Sequence, residues 1–226
     1  MRRGRFIALE GGDGAGKTAA AEAIAAASGS DLCVLSRKDC SPSTPLARST
    51  LPRLRDLLFA GYEGRDFVDS FWWHLQISWH IGLYASDIRP RLEAGSDVLI
   101  DGWIWKLVAK LIVQGHDETL LLSDMRPVAQ PDTIVFVRAS VATRATRRDS
   151  WSMSERGLHA GLDVDEPGAF ARYQHAVEQQ MTLLAERHMW TIVDMVPGDD
   201  RAAAAGRLKA VVDEARDEDG KRPPVS

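Results

Sequence analysis

Residues 11–18 read Gly11-Gly12-Asp13-Gly14-Ala15-Gly16-Lys17-Thr18, and the fold is decided there. The stretch matches in full the Gly-x4-Gly-Lys-Ser/Thr pattern of a phosphate-binding (Walker A) loop. Its surroundings matter as much as its letters. Residues 5–10 (RFIALE) form an apolar run of strand length, and residues 16–28 are alanine-rich and helical in pattern. Glycines allow the backbone to turn so that consecutive N–H groups point into one concavity, an anion nest. The helix that starts near Gly16 adds the positive end of its dipole. In such a loop Lys17 reaches the β- and γ-phosphates of ATP and the Thr18 hydroxyl binds Mg²⁺. All eight residues, Gly11 to Thr18, are the expected ATP site.

Outward from the loop, apolar runs of strand length recur at residues 32–35, 97–101 (DVLID), 134–137 and 190–193. Helical patterns occupy residues 44–60, 66–94 and 199–216. Strands alternating with helices specify βαβ units, hence a parallel sheet covered on both faces. The expectation is an α/β, P-loop NTPase fold: one domain over residues 1–216, with a flexible polar tail at 217–226. Asp101 closes DVLID, so its carboxylate is expected at the carboxyl edge of the sheet, beside the loop, where it orders Mg²⁺ or its water. The alternative role is an N-cap for the segment from Gly102.

Residues 144–166 (RATRRDSWSMSERGLHAGLDVDE) break the pattern, being too long for an ordinary connection. Arg144, Arg147, Arg148 and Arg156 make this segment basic. One reading is a solvated helix face; the other is a mobile lid that closes arginines over phosphates. The phosphate loop has Gly14 and no arginine of its own. The charge that develops on a transferring phosphoryl group therefore calls for a cation from elsewhere, and the lid is placed to supply it. Arg144, Arg147 and Arg148 are the catalytic candidates beside Lys17.

Composition excludes several classes. Apolar residues make up 45% and charged residues 27% of the 226, which is globular, neither disordered nor fibrous. A formal charge of −4 gives no general reason to bind a nucleic acid polymer or an anionic membrane. Cys33 and Cys40 stand in no metal or redox spacing and read as reduced thiols. The apolar run after Met1-Arg2-Arg3-Gly4-Arg5 is too short for a signal peptide or a span, so a cytoplasmic protein is expected.

Several stretches together resemble the thymidylate kinases, over nearly the whole chain up to about Arg216. They are FIALEGGDGAGKTAAAEAI, with Glu10 and Asp13; Arg37 followed by Pro45-Leu46; IRPRLEAG at 88–95; and PDTI at 131–134. The resemblance implies the P-loop nucleoside monophosphate kinase fold, with a five-stranded parallel sheet and a lid. It implies ATP with Mg²⁺ as donor, a small-molecule nucleotide as acceptor, and a homodimer packed through residues 46–94. It also implies that Asp13 and Arg37 position the sugar and phosphate of the acceptor.

The departures from that family fall on the acceptor side. Its Asp-Arg-Tyr motif is here Asp101-Gly102-Trp103, without the acceptor-phosphate arginine. The base-reading arginine of the long helix aligns with His80, and the stacking aromatic one turn earlier with Gln76. A serine aligns with Lys106 and a Tyr-Gln pair with Lys110-Leu111. On the long helix, Ile77, Ile81, Tyr84 and Ile88 form the expected core stripe, while Trp73, Gln76, His80 and Asp87 form a second face suited to a planar polar ligand. Lys106 and Lys110, one turn apart, either restore the lost positive charge, with Trp103 beside them, or are solvated. The expected substrate site is therefore Asp13, Arg37, Trp73, Gln76, His80, Trp103 and Lys106. The expected activity is ATP-dependent phosphoryl transfer to a (deoxy)nucleoside monophosphate with altered acceptor specificity. The alternatives are a kinase for a modified nucleotide, a nucleoside or a specialised metabolite, and a non-catalytic ATP-binding module.

Overall fold

The computed structural model describes residues 2–28, 32–36, 38, 41–59, 67–147, 150–195 and 201–217. Arg37, Cys40, Arg148 and the tail beyond Asp217 lie outside them. Five strands, β1 (Phe6–Glu10), β2 (Leu32–Ser36), β3 (Asp97–Asp101), β4 (Thr133–Arg138) and β5 (Thr191–Asp194), form one sheet in the order β2-β3-β1-β4-β5. Every pairing is parallel. All five residues of β1 are buried, as befits the central strand of a sheet covered on both faces. Phe6 and Ala8 belong to the core on one face and Ile7 and Leu9 to the core on the other, following the two-residue period of a strand.

The helices are α1 (Lys17–Ala27), α2 (Pro45–Phe59), α3 (Asp69–Leu83), α4 (Arg89–Glu93), α5 (Trp105–Val113), α6 (Glu118–Asp124), α7 (Val141–Ala145), α8 (Ala169–Arg187) and α9 (Arg201–Asp217). α1 and α9 cover one face through Ile24, Leu208 and Val212, and α3, α5 and α8 cover the other. Because β1 lies between β3 and β4, the chain leaves the centre first to one side and then to the other. A crevice opens outside the carboxyl ends of the strands at such a switch point. Register brings Leu9 opposite Asp101, the last residue of β3, and Glu10 opposite Phe136, two residues before the end of β4, so the phosphate loop leaves β1 beside the carboxyl ends of both neighbours.

The expected long helix is interrupted. A π-helical turn, Tyr84–Ile88, joins α3 to α4. Such a turn carries an extra residue and resets the face of everything beyond it. The core face accordingly runs through Trp73, Ile77, His80 and Leu83 and resumes at Asp87 and Ile88. Ile81, expected in the core stripe, is 37% exposed. The turn also fastens the loop after β2: Asp87 accepts from the Ser41 N–H at 2.7 Å and from Arg91 Nε at 2.8 Å, and the Ser86 carbonyl accepts from the Ser43 N–H at 3.0 Å. No described helix is long and apolar enough to cross a membrane.

The closing helix is held by a carboxylate at the start of β3. Asp97 accepts from the Arg5 N–H at 2.8 Å through one oxygen and from Arg216 Nε at 2.6 Å through the other. Its loss strips a buried N–H and a guanidinium of their acceptor together. Asp97→Ala is expected to cost about 2 kcal/mol, read as a lower urea midpoint with an unchanged m-value.

Candidate functional site

The loop conformation explains its glycines. Gly14 and Gly16 sit at φ +79° and +96°, in the left-handed region that side chains disfavour. Gly12 is required for a different reason. A Cβ there would lie 2.4 Å from a terminal nitrogen of Arg144. Lys17 opens α1 and lies back across the loop, donating to the Gly11 carbonyl at 2.9 Å and the Gly12 carbonyl at 3.1 Å. Gly16 caps α1 without a side-chain acceptor, so the positive helix end faces a cavity of about 590 Å³ that Gly14, Lys17, Thr18 and Asp101 help to line.

Thr18 donates its hydroxyl to Asp101 at 2.5 Å. One hydroxyl and one carboxylate are hard oxygen donors of the kind Mg²⁺ takes alongside phosphate oxygens and water, without an all-protein cage. No cluster of three or more acidic, His or Cys ligands occurs among the described residues. The residues present therefore fit a phosphate-bridged Mg²⁺. The capping alternative for Asp101 does not hold: α5 begins at Trp105, and the carboxylate at its entrance is that of Glu10, which accepts from the Trp103 and Trp105 N–H groups at 3.1 and 3.0 Å.

The arginines separate. Arg144 is a correction to the sequence expectation, because it is no lid residue: it lies in α7 with 1% exposure. Its guanidinium donates to the Ala139 and Asp13 carbonyls, to Gln174 Oε1 at 2.8 Å and to Glu178 Oε2 at 2.6 Å. So enclosed, it braces the loop from behind and has no path to a phosphate. Arg147 lines the phosphate cavity and donates to the Gly14 carbonyl at 2.8 Å. Arg156 donates instead to the Val164 carbonyl, within the lid. Trp151 stacks on Phe170 with ring centroids 4.1 Å apart, and its edge reaches within 2.8 Å of where a Gly14 Cβ would stand.

A second cavity, of about 370 Å³, adjoins the first and shares Asp13, Lys38, Lys106 and Glu155 with it. Its far walls are Phe59, Trp72, Trp73 and Tyr173, with Gln76 and Gln114 as amides and Ser152, Ser154 and His159 from the segment between α7 and α8. Trp73, Gln76, Lys106 and Asp13 thus meet at one site. His80 and Trp103 do not, and this too is a correction. Both are fully buried, with rings edge-on at 4.6 Å; His80 Nδ1 lies 2.6 Å from the Gln76 carbonyl, and Trp103 Nε1 donates to the Ala129 carbonyl. The reason is that Trp103 packs edge-on against Phe6 of the central strand, with centroids 5.1 Å apart, and His80 packs against Trp103 in turn.

Lys106 and Lys110 are not solvated. Lys106 Nζ lies 2.6 Å from one oxygen of Asp13 and Lys110 Nζ 3.2 Å from the other, with side chains 11% and 17% exposed. Burial pushes the Asp13 carboxyl up, but the ammonium groups of Lys106 and Lys110, with Lys17 beyond, outweigh it and hold the carboxyl well below the usual range. Sequence reasoning missed Lys38, Trp72, Gln114, Glu155 and Tyr173. Only Trp72, beside Trp73 on the long helix, left a legible signal; the others are single polar or aromatic residues whose convergence is tertiary.

No protein-family model and no curated protein matches the sequence. Solved structures do match the fold. The thymidylate kinase of Ehrlichia chaffeensis superposes with a TM-score of 0.62 over 93% of this chain and 99% of its own, at 18% identity. The thymidylate kinase of Candida albicans, whose structure is described as revealing the origin of broad substrate specificity and a novel structural element, superposes with a TM-score of 0.68 over 94% and 92%, at 19% identity. This chain has the thymidylate kinase fold, a P-loop architecture on a five-stranded parallel sheet.

Proposed function

We propose that this protein transfers the γ-phosphoryl group of ATP to the phosphate of a (deoxy)nucleoside monophosphate, with an acceptor preference other than thymidylate. The observation that carries this reading is the junction of the two cavities. A phosphate loop and an aromatic-walled pocket meet at Asp13, Lys38 and Lys106, where donor and acceptor phosphates would face each other. Lys17 and Arg147 hold the donor phosphates and balance the charge that spreads over the equatorial oxygens. Thr18 and Asp101 would hold Mg²⁺, which would supply neutralisation of the phosphate charge. An acceptor phosphate oxygen attacks in line, its bond to the γ-phosphorus forms, the bond to the bridging oxygen breaks, and ADP leaves. Trp72 and Trp73 flank a base, and Lys106 and Lys110, aligned by Asp13, replace the cation absent at Gly102. Arg37 is proposed to approach the same phosphate. Residues 1–216 act as one domain, and of residues 144–166 the part beyond α7 acts as its lid. Exposed Leu46, Leu57, Phe71 and Ile81 on α2 and α3 favour a homodimer, and a cytoplasmic setting suits these substrates.

The state of the carboxylates bears on the rival acceptors. An alcohol acceptor gains from a general base of suitable pKa, whereas an ionised phosphate needs none. Asp13 is held far too acidic for that role between its two lysines. Glu10 is committed to backbone N–H groups, Asp101 to Thr18 and Glu155 to Ser152. This favours a phosphate acceptor over a nucleoside or an alcoholic metabolite. A non-catalytic module remains distinguishable by turnover: no acceptor would then accelerate ADP release.

Four outcomes test the reading. Lys17→Ala is expected to abolish coupled ADP production while the thermal melt stays that of the parent; near-normal turnover would remove the ATP site from residues 11–18. Arg147→Ala is expected to lower kcat by roughly 10³-fold with little change in the KM for ATP, as for other phosphoryl-stabilising arginines. Arg144→Ala, by contrast, is expected to lower stability by about 3 kcal/mol, since it leaves Glu178 and the Asp13 carbonyl without their donor. In a panel of nucleoside monophosphates, kcat/KM for thymidylate is expected at least about 10²-fold below that of the best acceptor. Thymidylate ranking first would return the protein to plain thymidylate kinase chemistry.

A further inference from the structure

Resting on the reading of residues 11–18 as the ATP site, we infer that Gln174 is a positioning residue that ties the acceptor-facing part of the lid to the phosphate loop, so that filling the loop orders the wall of the second cavity. Gln174 is 1% exposed on α8. Its Oε1 accepts from Arg144 NH1 at 2.8 Å, and its Nε2 donates to the Glu155 carbonyl at 2.9 Å. The orientation of the amide is dictated by its partners: arginine can only donate and a backbone carbonyl can only accept, so the oxygen must face Arg144 and the nitrogen Glu155.

Each end of this link reaches a working surface. The same NH1 of Arg144 donates to the Asp13 carbonyl at 3.2 Å and stands against Gly12. A displacement of the loop backbone by bound phosphates is therefore felt at the guanidinium without any intervening water. At the other end, Glu155 lines both cavities and its carboxylate accepts from the Ser152 N–H and hydroxyl at 2.9 and 3.1 Å. Ser152, Ser154 and His159 stand with it in the wall of the second cavity. The path from loop to lid is thus Asp13, Arg144, Gln174, Glu155, all in direct contact and with its two middle members almost wholly buried. Buried polar groups in such a chain stay fully partnered or cost stability, which resists independent movement of its ends.

Substitution can cut one half of the link and spare the other. Gln174→Glu keeps an acceptor for Arg144 and removes the donor to Glu155. Gln174→Met removes both. The experiment is hydrogen–deuterium exchange of each form with and without the Mg²⁺ complex of β,γ-imido-ATP, which needs no knowledge of the acceptor. In the parent protein the analogue is expected to slow exchange at residues 11–18 and at residues 152–159. In Gln174→Glu protection at 11–18 is expected to persist, while residues 152–159 exchange roughly tenfold faster than in the liganded parent, a coupling of ordinary size. The KM for the best acceptor of the panel should rise by a similar factor with the KM for ATP unchanged, a split that a plain loss of stability does not produce. Should Gln174→Glu fail to fold, Gln174→Met, which cuts the link at both ends, is read at residues 152–159 alone, where the same faster exchange is expected. Undiminished protection at 152–159 in the variant overturns the inference alone. Absence of protection at 11–18 in the parent overturns the ATP site, and the inference with it.

Discussion

The guanidinium of Arg144 stands behind the phosphate loop, in the space a side chain at Gly12 would need, and bonds to the end of β4, to the Asp13 carbonyl and to α8. An anion nest works only if its N–H groups stay aimed at one point, and glycine-rich backbone does not hold a shape unaided. A buried cation with every direction of its fork satisfied supplies that rigidity. The arrangement constrains much else: residue 12 must be glycine, α7 must follow β4 closely, and α8 must present Gln174 and Glu178 on its inner side. Charge at this position serves shape, while Lys17 and Arg147 line the cavity in front of the loop.

A similar division runs through the junction of the two cavities. Asp13 draws Lys106 and Lys110 off the surface and holds both ammonium groups at the boundary. One buried carboxylate between two cations leaves positive charge in excess, a poor arrangement for stability alone and a suitable one where phosphates meet. Glu10 and Asp101 show the same economy among acids. Glu10 caps the entrance of α5 so that Asp101 stays beside Thr18. Swapping these two roles would leave the backbone at Trp103 and Trp105 and the Thr18 hydroxyl without their acceptors.

Much of the fold was legible in the sequence because its signals are local. A full phosphate-loop motif between a strand and a helix, and short apolar runs spaced by helices, specify a parallel sheet with little ambiguity. The long helix was harder. Its periodicity extends through residues 84–88, but a π turn there changes the register and Asp87 enters the core. Ile81, before the turn, is exposed because the inward face of α3 runs through Trp73, Ile77 and His80. The arginine-rich stretch misled in another way: charge density pointed to the phosphates, and nothing in the letters separates Arg144, on a helix facing inward, from Arg147, one turn further on and facing out.

What the sequence by itself determined is the phosphate loop and the strands that carry it, since these rest on residue identity within short windows. Which residues meet was decided only by tertiary structure. His80 follows α3 into the core, and Trp103, in the connection from β3 to α5, packs edge-on against Phe6, so apolar contact outweighs exposure to a ligand. Lys106 and Lys110 come to Asp13 across nearly a hundred residues because the sheet register sets α5 against the loop. A side chain's role depends on what burial leaves it facing, and that is a property of the packed fold.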